Sequence, residues 1–377
     1  MARPPRARLE QEAQALRAWA EARQLFHAIG GSSGRLTPAG RGGGAEMFSA
    51  AAAEALTRKP ITAVGFNPNR GDKGTVIVYT ARPLNAGERS ELIESYDRQA
   101  EIEFKTARPL VVDPGAASLA APINLARQWS RYTCGSSVSL GNVRDAGTLG
   151  CLVRDREGAI YGLSANHVTG GCSNARQGHP IVAPGIKDVG AGQPDPRTIG
   201  YHDRAGPFVA GDPATVPPHL NTDAAIFKLI KPDEISSWQG DFYDTPAEVG
   251  DPIEDAEIEK VGRSTRRTKG VIESELAGSH PVSYKTTVWI SAEEPIEFRA
   301  TVYFKPVFVL RGVRRAFAAP GDSGALVTQL GEGNRRTAVG ILFAGRESDV
   351  SYMLPLRPLL DHLELTLVSG HIPPAGA

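Results

Sequence analysis

The sequence predicts a mainly β protein, two small β-barrels in tandem behind a helical arm and a small α+β unit. Three observations carry that expectation. From about Arg127 onward the chain is a series of short apolar runs cut by glycines, among them GTLGCLV, IYGLSA, DAAIFKL, TTVWISA, TVYFKPVFVL, GALVTQL and AVGILFAG. Repeated short strands between turn signals indicate a barrel or sandwich. Glycine (41) and proline (28) are plentiful and methionine (3) is rare among the 377 residues, which suits a turn-rich chain better than a helical bundle. The helix-like stretches 6–28, 46–57 and ERSELIESYDRQ all come ahead of that series of short strands.

Residues 1–60 read as the helical arm. Leu9, Ala13, Leu16, Ala20 and Leu25 recur at helical spacing over 6–28, and Gly30-Gly31-Ser32-Ser33-Gly34 ends the run. A second soft stretch spans Gly40 to Gly44, and 46–57 reads as another short helix stopped by Pro60. Arg3, Arg6 and Arg8 read as a solvated, frayed terminus rather than an arm for an anionic ligand. Residues 61–125 form the α+β unit. ITAVGF and TVIVYTA flank the turn NPNRGDKG as a hairpin, ERSELIESYDRQ is helix-like, and AEIEFKTARPLVV returns to strand character. This unit holds no catalytic constellation, so positioning or regulation is expected of it. Residues 126–370 are long enough for the two barrels.

Lys+Arg and Asp+Glu both number 42, so the zero net charge gives no reason to expect nucleic acid or an anionic membrane as a partner. No apolar run reaches the length of a membrane span. Glu10, Glu12 and Glu21 fall where a signal peptide needs an apolar core, and a cytoplasmic location is expected. The three cysteines, Cys134, Cys151 and Cys172, do not make a disulfide framework. Cys151 and Cys172 flank His167 and are candidates for spatial neighbours, with buried reduced thiols the expected state. The eight histidines are scattered, zinc spacings such as HxH or CxxC are absent, and no phosphate-cradling glycine loop follows a strand. No cofactor and no metal is expected.

Three segments carry chemistry, in a fixed order. Leu163-Ser164-Ala165-Asn166-His167-Val168 delivers a histidine at the end of a strand. Asn221-Thr222-Asp223-Ala224-Ala225 places an acid directly before another strand. Pro320-Gly321-Asp322-Ser323-Gly324 sets a serine in a glycine-bounded turn leading into a third. A serine hydroxyl is a weak nucleophile that needs a positioned base, and the base needs a carboxylate to fix its tautomer. The glycines permit a sharp turn that aims the Gly321 and Ser323 N–H groups at a developing oxyanion. The order His, Asp, Ser excludes an α/β-hydrolase, which runs Ser, acid, His around G-x-S-x-G, whereas Ala325 stands at the last glycine position here.

LSANHV, DAAIF and PGDSGALV resemble the His, Asp and Ser motifs of trypsin-like serine peptidases. The likeness extends over roughly 130–360 to an intracellular bacterial and plant subgroup. GTLGCLV is similar to its first strand, GHPIVAPGIKDVGAG to the segment after the histidine, KVGRSTRRTKGVI to its Gly-Arg hairpin and VGILFAG to the strand lining the cleft. Residues 61–112 more weakly resemble the small domain that often precedes such peptidases. The resemblance implies a chymotrypsin-like double β-barrel, with His167 as general base, Ser323 as nucleophile, Asp223 orienting His167, and an oxyanion hole at Gly321 and Ser323. Asp188 is the rival acid, but its match is to a loop. Asp322 corresponds to the acid that pairs with a new N-terminus in activated zymogens. No Ile-Val-Gly-Gly-like sequence accompanies it, so an internal cation or backbone donor is its expected partner. Phe317 stands where trypsins carry the acid of the specificity pocket, and Phe343, Ala344 and Gly345 are expected to line the cleft. Together they suggest a small or apolar side chain in the substrate.

Arg263, Arg266, Arg267 and Lys269 form the one local basic cluster, read as a charged exposed hairpin. The expectation is a serine endopeptidase acting on a protein or peptide substrate, restrained by residues 1–125 or by a regulatory protein partner. The rival readings are a catalytically latent binding or scaffold protein on the same fold, and an esterase-type hydrolase.

Overall fold

The computed structural model describes residues 5–27, 47–96, 98–109, 111–112, 127–128, 131–190, 195–291, 293–345 and 350–371. The chain is mainly β and has the chymotrypsin-like double-barrel architecture. In the first barrel the strands Cys151–Arg154, Ile160–Ser164, Ala225–Leu229, Arg197–Ala205, Pro180–Ala183 and Ser137–Leu140 pair in that order. Gly147–Thr148, just upstream of Cys151, pairs with Ser137–Leu140 at the far edge and curls the sheet round. In the second barrel Glu257–Gly262, Leu326–Leu330, Arg336–Gly345, Ser351–Pro355, Phe308–Gly312 and Arg266–Leu276 pair in sequence, and Arg266–Leu276 pairs back onto Glu257–Gly262 to close the ring. Strand Thr366–Leu367 returns from the second barrel's terminal helix, Leu356–Leu363, to pair with Cys151–Arg154 of the first.

The run TVYFKPVFVL, read as one strand, is divided between Glu294–Phe304 and Phe308–Gly312. Pro306 has no N–H for a ladder, and the chain changes partner there. Glu294–Phe304 instead pairs with His280–Ser291 as a long hairpin that stands out from the second barrel. Its Val288 packs into the core of the first barrel with Leu140 and Val168.

Ahead of the barrels, helix Arg6–Ala22 buries Leu9, Ala13, Leu16, Trp19 and Ala20, the face its spacing marks. Helix Ala50–Arg58 starts at Ser49, whose hydroxyl accepts from Ala52 N at 3.1 Å. Both cover the hairpin Ile61–Asn67/Thr75–Thr80, and Glu101–Thr106 joins it in parallel after helix Ala86–Ser95. This small sheet does not stop at the unit's border. Gly65 and Phe66 pair with Leu276 and Glu275 of the second barrel, so one nine-stranded sheet runs through both. Arg6, read as frayed, bridges Glu254 and Glu275 across the same junction. Glu273 lies there too, buried and receiving the Tyr79 hydroxyl at 2.9 Å, Lys105 at 2.6 Å and Arg311 at 2.6 Å.

Cys134, Cys151 and Cys172 are all unpaired and buried. Cys151 belongs to the cluster of Leu163, Ile226 and Leu326, and Cys172 to that of Phe208 and Tyr284, so these two are not neighbours. Among the described residues no helix is long and apolar enough to cross a membrane.

Candidate active site

His167 sits in the short helical turn Asn166–Thr169 that follows strand Ile160–Ser164. The Asn166 side chain ties the turn to Ser173, accepting from its N–H at 2.9 Å and donating to its hydroxyl at 2.8 Å. Asp223 precedes strand Ala225–Leu229, and the register Ser164↔Ala225 places the ends of the two strands side by side. The acid and the histidine therefore meet although 56 residues separate them. His167 Nδ1 lies 2.7 Å from Asp223 Oδ2, and the His167 N–H donates to Oδ1 at 3.0 Å. Both side chains are buried. With Nδ1 engaged by a carboxylate, Nε2 is the ring nitrogen left to accept a proton. Burial pulls the imidazole's pKa down, but Asp223, with a smaller push from Asp145, outweighs it and the net shift is upward.

A third donor was not visible in the sequence. The Tyr284 hydroxyl, from the long hairpin, donates to Asp223 Oδ2 at 2.9 Å. Its strand gives no local sign of the contact, which is made with a residue 61 positions away in the chain.

Ser323 is presented by the turn before strand Leu326–Leu330. Gly321 and Gly324 hold φ of +102° and +95°, which a side chain would strain. A Cβ on Gly324 would also lie 2.4 Å from both Ser164 Oγ and Thr148 O, so only glycine lets this turn press on the strand end that delivers His167. Thr148 N donates to Ser323 O at 2.8 Å and completes the contact between barrels. The Ser323 hydroxyl donates to Phe343 O at 3.4 Å, and among the described residues no hydrogen bond joins it to His167. Within the turn Asp322 N, Gly324 N and Ala325 N all have backbone acceptors. Among the described residues Gly321 N and Ser323 N have none, which leaves both donors for an oxyanion.

Asp322 is wholly buried and finds both kinds of expected partner. Lys260 Nζ lies at 3.0 Å, and Ser264 N, Thr265 N, Ala319 N and the Thr265 hydroxyl also donate to the carboxylate. Burial favours the neutral acid, but Lys260 and these donors more than compensate and hold its pKa below the usual range. Asp188 lies away from the histidine, held by Arg263 Nε at 2.8 Å and the Ser137 hydroxyl at 2.5 Å. Arg263 is therefore not part of an exposed hairpin. It is buried, and a Cβ on Gly321 would stand 2.5 Å from its Nη1.

The pocket expectation changes with the structure. Phe317 is fully buried in the second barrel's core with Ile272 and Leu310, its ring 5.9 Å from Lys260 Nζ. The phenyl points into the barrel because Gly270 opposes it and leaves room, so its side chain is not a pocket base. The Phe343 side chain is likewise buried, against Phe304, with ring centroids 5.4 Å apart. What Phe343 offers the cleft is its carbonyl. Ala344 is buried in the same cluster, and Gly345 pairs with Ser351 at the strand's end.

Asp145, buried on the loop before Gly147, has its pKa pushed up to about 6 by desolvation, against the opposing pull of His167, the Ala146 N–H, Lys187 and Arg263. Its folded pKa lies above the unfolded one, so ionising it costs stability progressively as pH rises from about 4 to 6. Asp145→Asn keeps the acceptor for Ala146 N and carries no charge. It is expected to melt higher than wild type at pH 7.5, with the difference vanishing near pH 4 in a thermal-denaturation series.

Two barrels, with a His–Asp pair on one and a glycine-bounded serine turn from the other, give the chain a chymotrypsin-like double-barrel fold. Among solved structures the chain is similar to Thermobifida fusca Protease A, at 17% identity over 63% of this chain and 98% of that chain, with a TM-score of 0.37. It is also similar to Nocardiopsis Protease, at 17% identity over 62% and 97% with a TM-score of 0.37. Cellulomonas bogoriensis chymotrypsin stands at 14% identity over 63% and 98%, with a TM-score of 0.35. No protein-family model and no curated protein matches the chain. The roles given to its residues rest on its own geometry.

Proposed function

We propose that the protein is a serine endopeptidase that cleaves a protein or peptide substrate through His167, Asp223 and Ser323. The observation that carries this reading is the buried His167–Asp223 pair at 2.7 Å, with the Ser323 turn packed on the strand that delivers the histidine. Ser323 Oγ attacks the scissile carbonyl, and His167 Nε2 accepts the hydroxyl proton and returns it to the leaving amine. Asp223 holds the Nδ1–H tautomer and stabilises the imidazolium. The N–H groups of Gly321 and Ser323 receive the oxyanion, each such donor contributing about 3–4 kcal/mol to the rate in comparable sites. Water, deprotonated by His167, then releases the acyl group. An ester would follow the same path.

One observation favours a second reading, a latent protease-fold binding protein: the serine hydroxyl bonds Phe343 O and not His167. Such contacts commonly tighten only when substrate binds. Bringing Ser323 onto His167 is then the step that residues 1–125 or a protein partner would control. The three unpaired, buried cysteines support a reducing, cytoplasmic setting.

A fluorophosphonate probe separates the readings. Wild type is expected to label, Ser323→Ala not at all, and His167→Ala at least ~100-fold more slowly. Wild type that stays unlabelled would leave the latent binding protein as the reading to pursue.

A further inference from the structure

We propose that Tyr284 is a positioning residue of this site, setting the orientation and charge of Asp223 and through it the basicity of His167. This rests on the peptidase reading above. Asp223 has three donors: the His167 ring on Oδ2, the His167 N–H on Oδ1, and the Tyr284 hydroxyl on Oδ2 at 2.9 Å. The first two come from the residue being positioned. Tyr284 is the one that ties the carboxylate to the long hairpin His280–Ser291/Glu294–Phe304.

The phenol is held from every side. It is 3% exposed, with Phe208 at 4.8 Å edge-on, Phe304 at 6.2 Å and the His167 ring at 5.9 Å between centroids. Its strand is flanked by Glu294–Phe304, where Ala300 stands opposite it, and by Val111–Val112, where Val112 pairs with it in parallel. Val111–Val112 belongs to the α+β unit of residues 61–125, so the N-terminal region reaches the support of the catalytic acid. The titratable groups facing Tyr284 are Asp223 and Cys172, and Asp145 acts on both His167 and Cys172. The flanking strands present valine and alanine at this level, not charge.

A hydroxyl donating to a carboxylate withdraws charge from it and weakens its hold on the imidazolium. Tyr284→Phe removes that donor and keeps the ring. In the full chain it is expected to label with fluorophosphonate about tenfold more slowly, the size of one hydrogen bond to a charged group. The midpoint of the labelling-rate pH profile moves upward, because Asp223 then favours His167 protonation. The low-field proton resonance of His167 Nδ1–H shifts, while the melting temperature stays within a few degrees. Incorporating 3-fluorotyrosine at 284, a stronger donor of nearly the same volume, moves the midpoint downward. A purely structural tyrosine changes neither the profile nor the resonance. Labelled wild type with Tyr284→Phe unchanged in rate, midpoint and resonance overturns this proposal, whereas unlabelled wild type overturns the peptidase reading.

Discussion

Replacing Lys260 by methionine is expected to destabilise the protein by about 3–5 kcal/mol, the cost of stranding a buried charge, and to silence Ser323. Lys260 and Asp322 are both fully buried, and Lys260 is the cation that faces the carboxylate, at 3.0 Å. Asp322 stands between Gly321 and Ser323. A carboxylate left without a countercharge has to protonate or move, and either disturbs the turn that carries the proposed nucleophile and oxyanion donors. Thermal denaturation and probe labelling check both parts. The double variant Lys260→Met/Asp322→Asn is expected to recover much of the stability, because it removes the stranded charge with its partner. The pH dependence has a definite sign. Wild-type Asp322 has a depressed folded pKa, so its contribution is present above the unfolded value and lost as pH falls through the folded one. In Lys260→Met the folded pKa rises instead, and the deficit against wild type shrinks on acidification. A deficit that grows toward low pH would remove Lys260 from this role.

Asp223→Asn is expected to lower turnover by about 10⁴-fold with little change in KM, since an amide that donates toward Nδ1 turns the imidazole to the wrong tautomer. The fold should survive. The amide keeps an oxygen for the His167 N–H or for the Tyr284 hydroxyl, whereas Asp223→Ala strands both buried donors. Steady-state kinetics on a peptide substrate, alongside denaturation of both variants, tests this. Activity retained within tenfold in Asp223→Asn would place the orienting group elsewhere.

The three groups proposed for catalysis stand out in the sequence because each lies in a local pattern: a histidine after an apolar run, an acid before one, a serine between glycines. Asp322 was legible as a group in need of an internal partner, and Lys260 meets that need. Contacts made by pairing between distant segments leave no such pattern. Tyr284 sits in an ordinary alternating strand, and nothing nearby reveals that it reaches Asp223. Arg263 looked like one of four neighbouring exposed cations because its partner, Asp188, lies 75 residues earlier in the chain. Phe317 was placed by counting back from Ser323, which gives a position along the chain but not the direction of the ring. That direction is set by Gly270 on another strand.

The sheet that runs from the N-terminal unit into the second barrel has a consequence for how the protein is made. Gly65 and Phe66 leave the ribosome about 210 residues before the strand edge they pair with, Glu275 and Leu276. At ordinary synthesis speeds that is roughly 10 to 40 s, during which Ile61–Asn67 has an open edge. Helices Arg6–Ala22 and Ala50–Arg58 are already available to cover one face of the nascent hairpin, but neither can supply the missing ladder. The second barrel therefore closes onto a template that has been waiting since early in translation. Its assembly is a long-range event, slow by its topology and dependent on that edge staying unclaimed by another chain.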